Sequence, residues 1–156
     1  IVGHSDNRIK QNESNEIVNS KIKSLISSSI TPIVCFGELS KASLNDTLST
    51  LTVEINSILS EIPAEYMDKI IFAYEPVWAI NNPDIYIDCN YVDKIASYIK
   101  NYFEVTYGVR PSLLYGGSIN LSNIDELNKI DSLDGFLIGG ASAKVDVFNQ
   151  ILDKIS

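Results

Sequence analysis

The chain has 156 residues and a formal charge of −8, from 12 Lys and Arg against 20 Asp and Glu; 45% of its residues are apolar and 21% charged. That length supports a single domain, residues 1–156, with a core of its own. The acidic balance excludes the clustered basic surface that nucleic acid requires, and no apolar run approaches the ~20 residues of a membrane span. No basic and apolar leader is visible. Two cysteines, Cys35 and Cys89, and one histidine offer neither a disulfide framework nor a zinc site, so no metal is expected. An anionic ligand would have to be held by local backbone N–H groups rather than by the bulk field.

In chain order, short β-rich apolar runs alternate with segments of helical period. The runs are IVG (Ile1 to Gly3), TPIVCFG (Thr31 to Gly37), KIIFAYE (Lys69 to Glu75), PSLLYGG (Pro111 to Gly117) and DGFLIGG (Asp134 to Gly140). Most lack alternation, which predicts parallel strands covered on both faces. The chain opens as though already inside a strand. Between the runs, one stripe joins Ile17, Val18, Ile22, Leu25 and Ile26, and a second joins Leu44, Leu48, Leu51, Ile55, Ile58 and Leu59. A third joins Val92, Ile95, Ala96 and Ile99. Ser122 is the expected start of a short helix with Glu126 near its first turn, and a last helix is expected from about Lys144.

The order is therefore β-α repeated five times in an α/β fold. Five units in 156 residues average about thirty residues each, and eight would reach the roughly 250 residues of a (β/α)8 barrel. An open doubly wound sheet has the same periodicity, so the pattern leaves both architectures open.

Every expected strand ends in an unusual group: His4, Gly37-Glu38, Glu75, Gly116-Gly117-Ser118 and Gly139-Gly140. In either architecture these ends share the face where ligands bind. The glycine pairs favour close backbone approach to a ligand, and helices after them would aim N–H groups at a phosphate. Glu75 has Phe72, Ala73, Val77 and Trp78 as sequence neighbours. Desolvation there would raise its pKa, the usual route to a general base. His4, the single histidine, stands where an acid, base or electrophile could act.

Together, GHSDNR, IVCFGE, AYEPVWAI, LLYGGS and DGFLIGGAS resemble the triosephosphate isomerases, in that family's order and at about its spacing. The resemblance implies the C-terminal five βα units of a (β/α)8 TIM barrel, from the fourth strand through the last helix. It implies a cytoplasmic, homodimeric, cofactor-free enzyme of glycolysis and gluconeogenesis that interconverts dihydroxyacetone phosphate and D-glyceraldehyde 3-phosphate through an enediolate. Carried over by motif, Glu75 would take the proton beside the carbonyl, while neutral His4 would polarise the carbonyl oxygen. Backbone N–H groups of Asn81, Ser118, Gly139 and Gly140 would hold the phosphate. Pro76 to about Asp84 would form a lid hinged at Pro76 and Trp78. Ser5, Asp6, Arg8, Glu38, Trp78 and Tyr115 would support the site. The competing reading is a non-catalytic half-barrel that binds a partner or a phosphorylated metabolite.

The chain also departs from the family. The first three βα units are missing, and with them an asparagine, a lysine and the main dimer loop, so this is expected to be a partial sequence, inactive in isolation. Asp6 and Asn7 stand where the family has glutamate and arginine, which should weaken support of the site. The lid tip reads Asn81-Asn82-Pro83-Asp84 instead of a glycine-rich turn, and Pro83 lacks an N–H. Altered lid closure, with more loss of the reactive intermediate, is expected.

Overall fold

The computed structural model describes residues 1–80, 82 and 85–155. Four strands, β1 (Ile33–Phe36), β2 (Ile71–Tyr74), β3 (Ser112–Tyr115) and β4 (Gly135–Phe136), form one sheet. Every pair is parallel, and the strands lie side by side in sequence order. The expected first strand is reduced to one parallel bridge, Val2 to Val34, closed by Val2 N–H to the Ile33 carbonyl and Cys35 N–H to the Val2 carbonyl, both 2.9 Å. A doubly wound sheet reverses its strand order at a switch point. This sheet never reverses, as in an arc of a barrel.

The periodic stripes become α2 (Asn15–Ser27), α3 (Leu44–Ile58), α4 (Cys89–Tyr107) and α6 (Val145–Ile155). Ser14, Ser43 and Asp88 cap the first three by accepting an N–H from the first turn. Gly108, at φ 72°, ends α4 in the left-handed conformation. Val18, Ile22, Leu51, Ile55, Ile95, Ile99 and Phe103 are fully buried against the sheet face that carries Phe36, Phe72, Tyr74 and Tyr115. Phe72 meets Phe103 with ring centroids 4.6 Å apart, within the range where aromatic pairs add to area burial. Lys100 bonds the Asp134 carboxylate at 2.8 Å, and Asp134 also accepts the Leu113 N–H at 2.7 Å. That ties α4 to the start of β3 and β4.

Three expectations need correction. The near-continuous apolar runs predicted cover on both faces, and on the alternate face that cover is partial: Cys35 and Ala73 are fully buried, Ile33, Ile71 and Leu114 only half-buried. No helix was expected before Ile17, but α1 spans Ser5–Gln11. Periodicity is silent there because its one apolar residue, Ile9, is exposed, and the helix is built by its cap: His4 accepts the Asp6 N–H through its side chain and the Asn7 and Arg8 N–H groups through its carbonyl. Finally, Ser122 does not start a helix. Its N–H and hydroxyl both bond the Asn120 side chain, and α5 (Ile124–Leu127) begins behind Asn123. A side chain that satisfies the turn draws the residue away from helix capping.

Candidate active site

The carboxyl ends of the strands converge on a cleft of about 640 Å³. His4, Asp6, Glu75, Ser118, Gly139 and Gly140 line it, with Lys144 at its edge. The pleat explains how a carboxylate gets there. Ile71, Ala73 and Glu75 alternate onto the sheet face opposite the helices, so Glu75 continues that face one residue beyond β2. It is 2% exposed.

His4 Nε2 and Glu75 Oε1 lie 3.2 Å apart. Glu75 Oε2 accepts the Ser5 N–H at 3.1 Å, so both carboxylate oxygens face α1. Across the imidazole, Nδ1 accepts the Asp6 N–H at 3.2 Å. A nitrogen that accepts carries no proton, so the hydrogen sits on Nε2, the atom turned toward Glu75. Burial raises the Glu75 pKa above its usual 4.5, opposed in order by the Ser5 N–H, His4, Cys35 and Arg8. The expected cause, desolvation, is the dominant one. Cys35 is fully buried beside Glu75, and burial first, then the nearby carboxylate, pushes its thiol pKa up.

The segment after β2 is held by the segment after β1. Val77 N–H bonds the Glu38 carbonyl at 3.0 Å, Trp78 Nε1 bonds Glu38 Oε1 at 2.7 Å, and Tyr74 donates its hydroxyl to the same oxygen at 3.0 Å. Lys41 lies over the indole, 5.3 Å from its centroid. Among the described residues, Arg8 Nη2, Glu38 Oε2 and the Tyr115 hydroxyl are buried with no hydrogen-bond partner. Burial raises the Glu38 pKa against the opposing pull of Trp78, its own backbone and Tyr74.

The sign of that shift gives a prediction. A carboxyl whose folded pKa is raised contributes its full stability below the unfolded value, near 4.5, and loses it as pH rises through the folded value. Glu38→Gln keeps an acceptor for Tyr74 and Trp78, so its stability relative to the native protein should improve from pH 4.5 to 8. Glu38→Ala orphans the buried Tyr74 hydroxyl and should lose about 1–3 kcal/mol at any pH. Calorimetric melting across that range reads both; a Glu38→Gln variant that falls further behind as pH rises contradicts the assignment.

A model of the triosephosphate isomerase family matches residues 1–155. The chain belongs to the triosephosphate isomerase family. It is similar to the triosephosphate isomerase of Alkaliphilus oremlandii, 37% identical over 98% of this chain and 63% of that protein. Against that of Ureaplasma parvum it is 39% identical over 99% and 63%. The crystal structure of triosephosphate isomerase from Bartonella henselae superposes with a TM-score of 0.81 at 33% identity, covering 97% of this chain and 62% of that one. The chain thus spans a little over 60% of the length of these triosephosphate isomerase relatives.

Of the residues carried over by motif, His4, Ser5 and Glu75 meet directly, while Glu38 and Trp78 bond each other. Asp6 instead pairs with exposed Lys10 at 3.1 Å, and Asn7 accepts a bond from Gln11 at 3.4 Å, so neither touches Glu75. Ser118, Gly139 and Gly140 line the far side of the cleft. Asn81, Pro83 and Asp84, hence most of the expected lid tip, lie outside the described residues. A helix follows each glycine pair, but not directly: six residues separate Gly117 from α5, and a 3-10 turn, Gly140–Ala143, precedes α6. Lys144, a cation at the cleft, was missed because it was read as a helix start.

Proposed function

We propose that this chain is the catalytic-base half of a triosephosphate isomerase, which interconverts dihydroxyacetone phosphate and D-glyceraldehyde 3-phosphate without a cofactor. One observation carries the reading: His4 Nε2–H, its tautomer set by the Asp6 N–H, stands 3.2 Å from a buried Glu75 carboxylate at the strand-end face. A substrate carbonyl entering the cleft would take the Nε2–H in place of Glu75. The freed Glu75 oxygen would then remove the proton from the neighbouring carbon, and charge developing on the carbonyl oxygen would meet the imidazole donor. Glu75 would return the proton to the adjacent carbon. His4 would move the hydroxyl proton between the two oxygens. Ser118, Gly139, Gly140 and Asn81 would hold the phosphate through their N–H groups, and Lys144 lines the same cleft. Gly140 supports this: no protein atom lies within 4 Å of a Cβ built there, so neighbouring protein atoms do not require glycine.

A cytoplasmic homodimer with one domain per subunit accompanies this reading, on the strength of the family. The test takes the native protein, measures its intact mass, and assays isomerisation of dihydroxyacetone phosphate. A mass near roughly 250 residues with isomerisation is expected. A native protein that does not isomerise triose phosphates overturns the proposal and favours a non-catalytic half-barrel.

A further inference from the structure

Glu54 lies on α3, outside every motif that carries the family resemblance, and its carboxylate is shared between two distant backbone segments. Oε2 accepts the Gly37 N–H at 3.0 Å, and Oε1 lies 3.0 Å from Arg8 Nη2 as an ion pair without the alignment of a hydrogen bond. The two side chains are 14% and 17% exposed, so the pair is sheltered but not dry.

Each partner is one step from a proposed catalytic group. Gly37 packs on the Glu75 main chain so closely that a Cβ there would fall 1.8 Å from the Glu75 carbonyl oxygen. The same segment carries the Glu75 backbone, through Glu75 N–H to the Phe36 carbonyl at 2.8 Å and Val77 N–H to the Glu38 carbonyl at 3.0 Å. Arg8 acts on the other side. Its Nε donates to the carbonyl of Gly3, the residue before His4, at 2.9 Å, and Nη1 donates to Asn15 Oδ1 at 2.8 Å.

We propose that Glu54 is a positioning residue: one carboxylate clamps the two backbone segments that present His4 and Glu75 to each other. The inference rests on the isomerase reading above. Reacting groups must be held within a fraction of an ångström of productive geometry, and a clamp on the backbone beneath both does this without touching substrate.

The charges make the role testable beyond lost packing. Arg8, Glu38 and Glu75 face Glu54 electrostatically, while His4, Cys35 and Arg8 face Glu75. Glu54→Gln keeps an acceptor for Gly37 but removes a negative charge and leaves Arg8 uncompensated. The Glu75 carboxylate is then favoured, and the acid limb of the pH–kcat/KM profile moves to lower pH. Arg8→Gln removes the positive charge and moves that limb to higher pH. Glu54→Leu removes both contacts and should lower kcat about tenfold or more with little change in KM.

The experiment measures these three variants of the intact native enzyme across pH, with circular dichroism to show that each is folded. Limbs that move in opposite directions support the clamp. Limbs that stay in place or move together, or a folded Glu54→Leu enzyme within twofold of native kcat, overturn it. Should Glu54→Leu not fold, the Glu54→Gln and Arg8→Gln profiles decide alone. A native enzyme inactive on triose phosphates fails the isomerase reading instead, a result visible before any variant is made.

Discussion

Glu75→Gln in the intact enzyme is expected to lower kcat about 10²–10⁴-fold, the usual contribution of a positioned general base, with KM little changed. The amide is nearly the same size and its oxygen can still accept the Ser5 N–H. It cannot take a proton from carbon, and its NH₂ would face the His4 Nε2–H, donor against donor. Stability should respond in the opposite sense. Desolvation holds the native carboxyl above its usual pKa of 4.5, so the charged form is the one the fold disfavours. That contribution is complete below pH 4.5 and is lost as pH rises through the raised folded value. Raising the pH through that value should therefore improve the stability of Glu75→Gln relative to the native protein, set against the cost of the donor-to-donor contact, while the variant stays far less active. Steady-state kinetics at pH 8 and calorimetry at pH 4.5 and 8 check both halves. Retained activity would remove Glu75 as the base, whereas a variant that lies further behind the native protein in melting temperature at pH 8 than at pH 4.5 would contradict the raised pKa.

Gly37→Ala should be the most damaging single methyl in the site. The added Cβ would lie 1.8 Å from the Glu75 carbonyl oxygen and 2.5 Å from its carbon. Both are main-chain atoms, so no side chain can rotate away. The ends of β1 and β2 must part, breaking contacts that run from Gly37 to Val77. Overpacking of this kind costs about 1–3 kcal/mol, and moving the base by about 1 Å can cost about a hundredfold in rate. Gly140→Ala is the contrast, since its Cβ meets no protein atom within 4 Å and the melting temperature should hold. Equal melting temperatures for Gly37→Ala and Gly140→Ala would contradict the close approach on which the clamp argument depends.

Much of this was legible in the sequence. Four strands fall within expected runs, and four helices carry the expected stripes, because parallel strands and amphipathic helices leave local periodicities. Glu75 and His4 stood out as polar groups at the ends of apolar runs. Glu54 did not, although a signal was there: it lies three residues after Leu51 and four before Ile58, on the edge of an apolar stripe. A carboxylate at that spacing must find a partner or reach solvent. Arg8 was picked out only through the family resemblance, and its partner across the fold is not encoded nearby. Helix α1 escaped because a cap, not an apolar face, makes it.

The sequence by itself determined the succession of βα units, the family, and which polar groups stand at the strand ends, since each is written in contiguous residues. Tertiary structure alone decided that the sheet runs in order like a barrel arc, and that Ser5 and Glu75, seventy residues apart, share a hydrogen bond. It also decided that the Asp6 N–H meets Nδ1 of His4, and that one carboxylate on α3 reaches both Gly37 and Arg8. Pairing register and helix packing set those contacts. They join segments whose separation along the chain no local period records.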